Sequence, residues 1–162
     1  MRAKYEEYEQ LVSEIAKDIC QSAPELHSLV LGSGRNNRIR GASGYPHQID
    51  VSLQETGHIF LIECKRWKKK IGVAEVLVLA GRVNDIQAYS PEFKVKAILG
   101  SMCGASQGAR QLAQHFDIDI EIVTSASEFG LRIGRFVHQA VVSQAGFTDS
   151  ATCTLTRGGV QI

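Results

Sequence analysis

Apolar positions recur along this chain with two different periods. In "YEEYEQLVSEIAKDIC", Tyr5, Tyr8, Val12, Ile15 and Ile19 share one helical face, which predicts a helix over 3–20 ending before Pro24. "LHSLVL" at 26–31 reads as a short apolar strand. "GSGRNNRIRGASGYP" has no period and is rich in turn residues, so an exposed loop is expected there. Residues 48–54 and 59–66 read as a β-hairpin folded around Thr56-Gly57. "GVAEVLVLAGRVNDIQAY" predicts a helix over 73–89, bounded by Gly72 and Pro91. A strand at 94–101, a helix at 106–116 and a strand at 119–124 follow. Near the end, "GRFVHQAVVSQ" could form a closing helix, and "ATCTLTRGGVQI" is either an edge strand or loose.

Strands that alternate with helices imply parallel pairing through crossovers, while the early hairpin is antiparallel. The expected architecture is therefore an α/β fold with a mixed central sheet flanked by helices. The chain has 162 residues, 44% of them hydrophobic, which suits a single domain: a core over about 3–125 and an extension over 126–162. No stretch approaches the roughly 18 apolar residues of a membrane span. The start "MRAKYEEYEQ" is charged and has no signal-peptide core. Cys20, Cys64, Cys103 and Cys153 are scattered without metal-ligand spacing. A reduced, cytoplasmic protein is the resulting expectation. Net charge is only +1, yet "CKRWKKK" and "GRNNRIRG" hold eight of the eighteen Lys and Arg residues. Local patches of that kind can bind phosphate on a nearly neutral protein.

The hairpin carries the candidate chemistry. A turn centred at Thr56-Gly57 sets His58 opposite Glu55, Phe60 opposite Leu53 and Glu63 opposite Asp50. Directly opposed residues share a face, and alternation adds Lys65 to that face while turning Cys64 away as a small buried hydrophobe. Two opposed carboxylates repel, and a divalent cation removes the penalty. Mg²⁺ suits the pair because it takes one or two carboxylates and keeps reactive waters. The plainer account is a salt bridge in which Lys65 neutralises one acid. The apolar "IFLI" before Glu63 and the basic run after it weigh toward a site.

Asp50 on one strand, followed by Glu63-Cys64-Lys65 on the next, resembles the PD-(D/E)XK nuclease superfamily. The nearest branch is the Mrr-like restriction endonucleases. The likeness runs from "YEQLV" through "GASGYPHQIDV" and "LIECK" to "GASQGARQLAQHFDIDIEIV". It implies a restriction-endonuclease-like αβββαβ core and Mg²⁺-dependent cleavage of DNA phosphodiester bonds, with Mn²⁺ able to substitute. On this resemblance Asp50 and Glu63 match the metal-binding carboxylates and Lys65 the catalytic lysine. Glu9 matches a helix glutamate that often assists the metal. Ile49 replaces the proline of the motif's name, and "GYPHQID" departs from the usual glycine-rich approach. Two alternatives share the fold: a nucleic-acid-binding module without turnover, and a structure-selective nuclease of the Holliday-junction-resolvase kind. Cutting both strands of a duplex is simplest for a two-fold homodimer.

Neighbouring residues fill out the expectation. Gln48 should oppose Lys65 and orient water or phosphate. His47 points away as a packing or hydrogen-bonding residue, and His58 is exposed at the hairpin tip. Arg66, Lys68, Lys69 and Lys70 are candidate phosphate contacts, with Trp67 packed beneath them or stacked on a sugar or base. Arg35, Arg38 and Arg40 form a second basic patch. Ser106 and Gln107 open the helix at 106, for which a capping role suffices.

Overall fold

A computed structural model describes residues 30–34, 36–55, 57–65, 69–122, 128, 132, 134 and 135. Strands β1 (Val30–Ser33), β4 (Val51–Glu55), β5 (His58–Lys65), β6 (Lys94–Ser101) and β7 (Ile118–Ile122) form one sheet in the order β1-β4-β5-β6-β7. The β1/β4 and β4/β5 pairs are antiparallel, and β5/β6 and β6/β7 are parallel. Helix α1 (Val73–Tyr89) links β5 to β6, and α2 (Gln107–His115) links β6 to β7. A separate antiparallel ribbon pairs β2 (Arg38–Arg40) with β3 (Pro46–Gln48). The mixed α/β architecture is the one the periodicity implied.

Strand β5 explains its own composition. Ile59 and Leu61 join one cluster with Val76, Leu79 and Ile86 of α1, Ala109 and Ala113 of α2, and Val95, Ala97 and Leu99 of β6. The alternate residues Phe60 and Ile62 face the other side, opposite Leu53 and Val51, and all four are at most 1% exposed. A strand buried on both faces reads as a continuous apolar run, hence "IFLI". Each such side chain contributes about 1.5–3 kcal/mol through burial. Gly57 sits at φ +73°, a left-handed value glycine adopts without strain, and so closes the hairpin. Ser106 caps α2, its hydroxyl accepting the Ala109 N–H at 3.2 Å.

Three expectations need correction. The segment read as a loop at 32–46 contains the end of β1, all of β2 and the first residue of β3; the start of the strand expected at Leu26 lies outside the described residues. His58 is buried, 2% exposed, because β6 pairs with β5 from the tip onward and sets Lys94 beside His58. Its ring stacks on Phe60 with centroids 5.4 Å apart. The hairpin register is as expected, but its first strand begins at Val51, not residue 48. The helix at 3–20 lies outside the described residues, as does nearly all of 126–162.

Candidate active site

Asp50 stands one residue before β4, and continuing the ladder beyond Val51↔Ile62 sets it opposite Glu63. The Cys64 N–H donates to Asp50 Oδ2 at 2.9 Å, so this carboxylate rests against the backbone that carries Glu63. Its own carbonyl accepts the Gly34 N–H at 3.0 Å, fixing the chain where the ribbon returns to the sheet. Glu63 is 4% exposed, and a buried carboxylate is costly without a charged partner. One partner is Arg82 of α1, whose Nη1 donates to Glu63 Oε1 and, at 3.1 Å, to the Gln48 carbonyl. One guanidinium nitrogen thus ties the residue two before Asp50 to the acid opposite Asp50.

A cavity of about 260 Å³ opens beside this junction, lined by Glu63, Ala74, Glu75, Val78, Leu79, Arg82 and Leu99. Glu75 Oε2 accepts the Gly72 N–H at 3.0 Å, anchoring the first turn of α1. Lys65 is the last residue of β5, two beyond Glu63 and in register with Ser101.

The ribbon is pinned to the same helix one turn on from Arg82. Asp85 accepts from the Ser43 hydroxyl at 2.6 Å, from the Ser43 N–H at 2.8 Å and from His47 Nε2 at 2.7 Å. The Ser43 hydroxyl, then His47, hold the Asp85 carboxyl down at about pKa 2. His47 is thus the hydrogen-bonding residue the sequence suggested. Gln48 is not where it was expected: its backbone pairs with Arg38 in the ribbon instead of extending β4 along β5. The reason is local, since the chain leaves the ribbon at Ile49, whose N–H donates to the Asn37 carbonyl at 3.1 Å. Arg38 and Arg40 are exposed on the ribbon, and Lys69 and Lys70 are exposed beyond β5. Glu9, Arg35, Arg66, Trp67 and Lys68 lie outside the described residues.

Arg82 and Asp85 escaped the sequence reading. Arg82 had a signal: it shares a helical stripe with Leu79 and Ile86, both buried, and a cation there needs a partner. Asp85 had none, because its partners lie about forty residues away.

A family model described as restriction endonuclease, Mrr_cat, matches residues 27–127. The chain belongs to this family. The match takes in every described strand and both helices. No curated protein matches the chain. Among solved structures, the chain is similar to a protein of unknown function, AF1548, at 19% identity over 70% of this chain and 56% of that one, with a TM-score of 0.51. It is also similar to a repair endonuclease from Pyrococcus abyssi, at 18% identity over 70% and 46%, TM-score 0.48. A third is EndoMS in a complex with double-stranded DNA, at 20% identity over 70% and 44%, TM-score 0.47. The chain spans about half the length of these proteins. The AF1548 likeness is one of fold alone. The domain is a restriction-endonuclease-like nuclease domain.

Among the described residues no helix is long and apolar enough to cross a membrane. Nor do three or more His, Cys, Asp or Glu residues among them gather to hold a metal ion. Two hard carboxylates at opposed positions suit a cation that keeps most of its waters, not a closed site of four protein ligands.

Proposed function

We propose that this domain hydrolyses DNA phosphodiester bonds as a divalent-metal-dependent endonuclease. The observation that carries the reading is the bond from the Cys64 N–H to the Asp50 carboxylate, which seats Asp50 beside Glu63. Asp50 and Glu63 would hold Mg²⁺, or Mn²⁺ in its place. The ion supplies a bound water of lowered pKa and polarises a phosphoryl oxygen. Lys65, two residues after Glu63, is the candidate for stabilising charge on the phosphorane. Arg38 and Arg40 on the ribbon and Lys69 and Lys70 beyond β5 are exposed cations available to backbone phosphates. Arg66 and Lys68, and Glu9 as a helper of the metal, belong to the same reading.

Supercoiled plasmid incubated with the full chain tests it. Mg²⁺ should support nicking, EDTA should stop it, and Asp50→Asn, which keeps an oxygen to accept the Cys64 N–H, should stop it too. Linear product at early times is expected if two copies act together on the duplex. Nicking that persists in Asp50→Asn overturns the site assignment. Salt-sensitive DNA retention without cleavage overturns the enzyme reading in favour of a binding module.

A further inference from the structure

We propose that Arg82 is the resident counter-cation of Glu63, displaced when a divalent ion binds, and that Glu75 receives it. This rests on the metal reading above. The first observation is the pair of hydrogen bonds that one guanidinium nitrogen donates, to Glu63 Oε1 and to the Gln48 carbonyl. Those contacts span the two segments that present the carboxylate pair. Without a cation, two acids set opposite each other at the end of a buried ladder repel. Arg82 relieves that repulsion when no metal is present, and it occupies the carboxylate a metal would need. A guanidinium and a divalent ion therefore compete for Glu63 Oε1.

The second observation gives the displaced side chain a destination. Glu63, Glu75 and Arg82 line one cavity of about 260 Å³. Glu75 precedes Arg82 by seven residues, two helical turns or about 10.5 Å of rise. Helical side chains lean toward the N-terminus, so an arginine leaving Glu63 swings toward Glu75 rather than away from it. Val78 and Leu79, between them on the cavity wall, give its aliphatic stem an apolar track. Arg82 and Glu75 are then positioning residues. Arg82 holds the metal-holding acid in place before loading, and Glu75 takes up its guanidinium afterwards.

Mg²⁺ affinity, measured by calorimetry and by the shift in melting temperature of the full chain, tests this without any reading of cleavage. Arg82→Gln should bind Mg²⁺ about tenfold more tightly than the parent, in the range typical of coupled sites. Glu75→Gln leaves the Glu63–Arg82 pair intact, so it stays testable should Arg82→Gln fail to fold, and it should bind Mg²⁺ more weakly. Arg82→Lys should stay near the parent. Unchanged or weaker Mg²⁺ binding in Arg82→Gln overturns the counter-cation role. Unchanged binding in Glu75→Gln overturns the destination. Absence of Mg²⁺ binding in the parent and in Arg82→Gln alike overturns the metal reading itself.

Discussion

Ile49→Ala should weaken both the fold and the seat of Asp50. Ile49 is fully buried, in the same cluster as Leu61, Leu79 and Leu99. It stands between the last ribbon residue and Asp50, with its N–H on the Asn37 carbonyl at 3.1 Å and its carbonyl on Asn37 Nδ2 at 2.9 Å. Truncating a buried isoleucine to alanine costs about 2–5 kcal/mol, transfer and cavity terms together. Against a typical total of about 5–15 kcal/mol, that is a large share of the stability. At about 2–4 °C per kcal/mol for a chain of this size, the melting temperature should fall by about 4–20 °C. Ile49→Val leaves most of the volume filled and should cost only about 0.5–1.5 kcal/mol. Thermal unfolding followed by circular dichroism measures both variants. Plasmid nicking, assayed well below both midpoints, should also slow in Ile49→Ala, because the cavity opens directly behind Asp50. A melting temperature within 2 °C of the parent, or equal losses for Val and Ala, refutes the anchoring argument. Ile49→Pro offers a further check: the motif's usual proline would remove the N–H that Asn37 accepts here.

Two shorter predictions concern the ribbon clasp. A Cβ placed on Gly41 would lie 1.9 Å from Asp85 Oδ2, so Gly41→Ala should cost about 1–3 kcal/mol by overpacking. Denaturant melts should show that cost shrinking when Asp85→Ala is added, and strict additivity would refute the contact. The Asp85 carboxyl is lowered from 3.8 to about 2 by Ser43 and His47. A depressed carboxyl favours folding above its unfolded value, and that contribution fades as pH falls from about 4 through about 2. The Ser43 amide resonance, which reports its bond to Asp85, should titrate with a midpoint near 2, and a midpoint near 3.8 would contradict the clasp.

The parts of the fold legible in the sequence were those with a strong local period or a single dominant turn. Helix α1 runs over 73–89 as its apolar spacing required, and Gly57 set a register that places Leu53 against Phe60 and Glu55 against His58. The same register sets Val51 against Ile62, one step short of Asp50 and Glu63. What escaped depends on distant partners. Strands of three residues are too short for alternation to register, and the ribbon is held by Asp85 rather than by its own pattern. Its pairing with Arg38 drew Gln48 out of the expected strand. His58 looked exposed because a hairpin tip ordinarily is, and the parallel neighbour β6, with the Phe60 ring stacked on it, reverses that. Arg82 was the one miss with a readable cue, a charge on the buried stripe of its helix.

The excursion between β1 and β4 departs and returns at almost one point: Ser33 pairs with Val51, and Gly34 bonds the Asp50 carbonyl. Such a segment works as an exchangeable cassette. The central strands are indifferent to its length, since each doubling of a closed loop adds only about 0.6 kcal/mol of closure entropy. A lineage could swap its exposed arginines for other chemistry, or lengthen it, while the acids at its exit keep their alignment. Variation in what the ribbon touches is thereby separated from the alignment of Asp50 with the strand that carries Glu63.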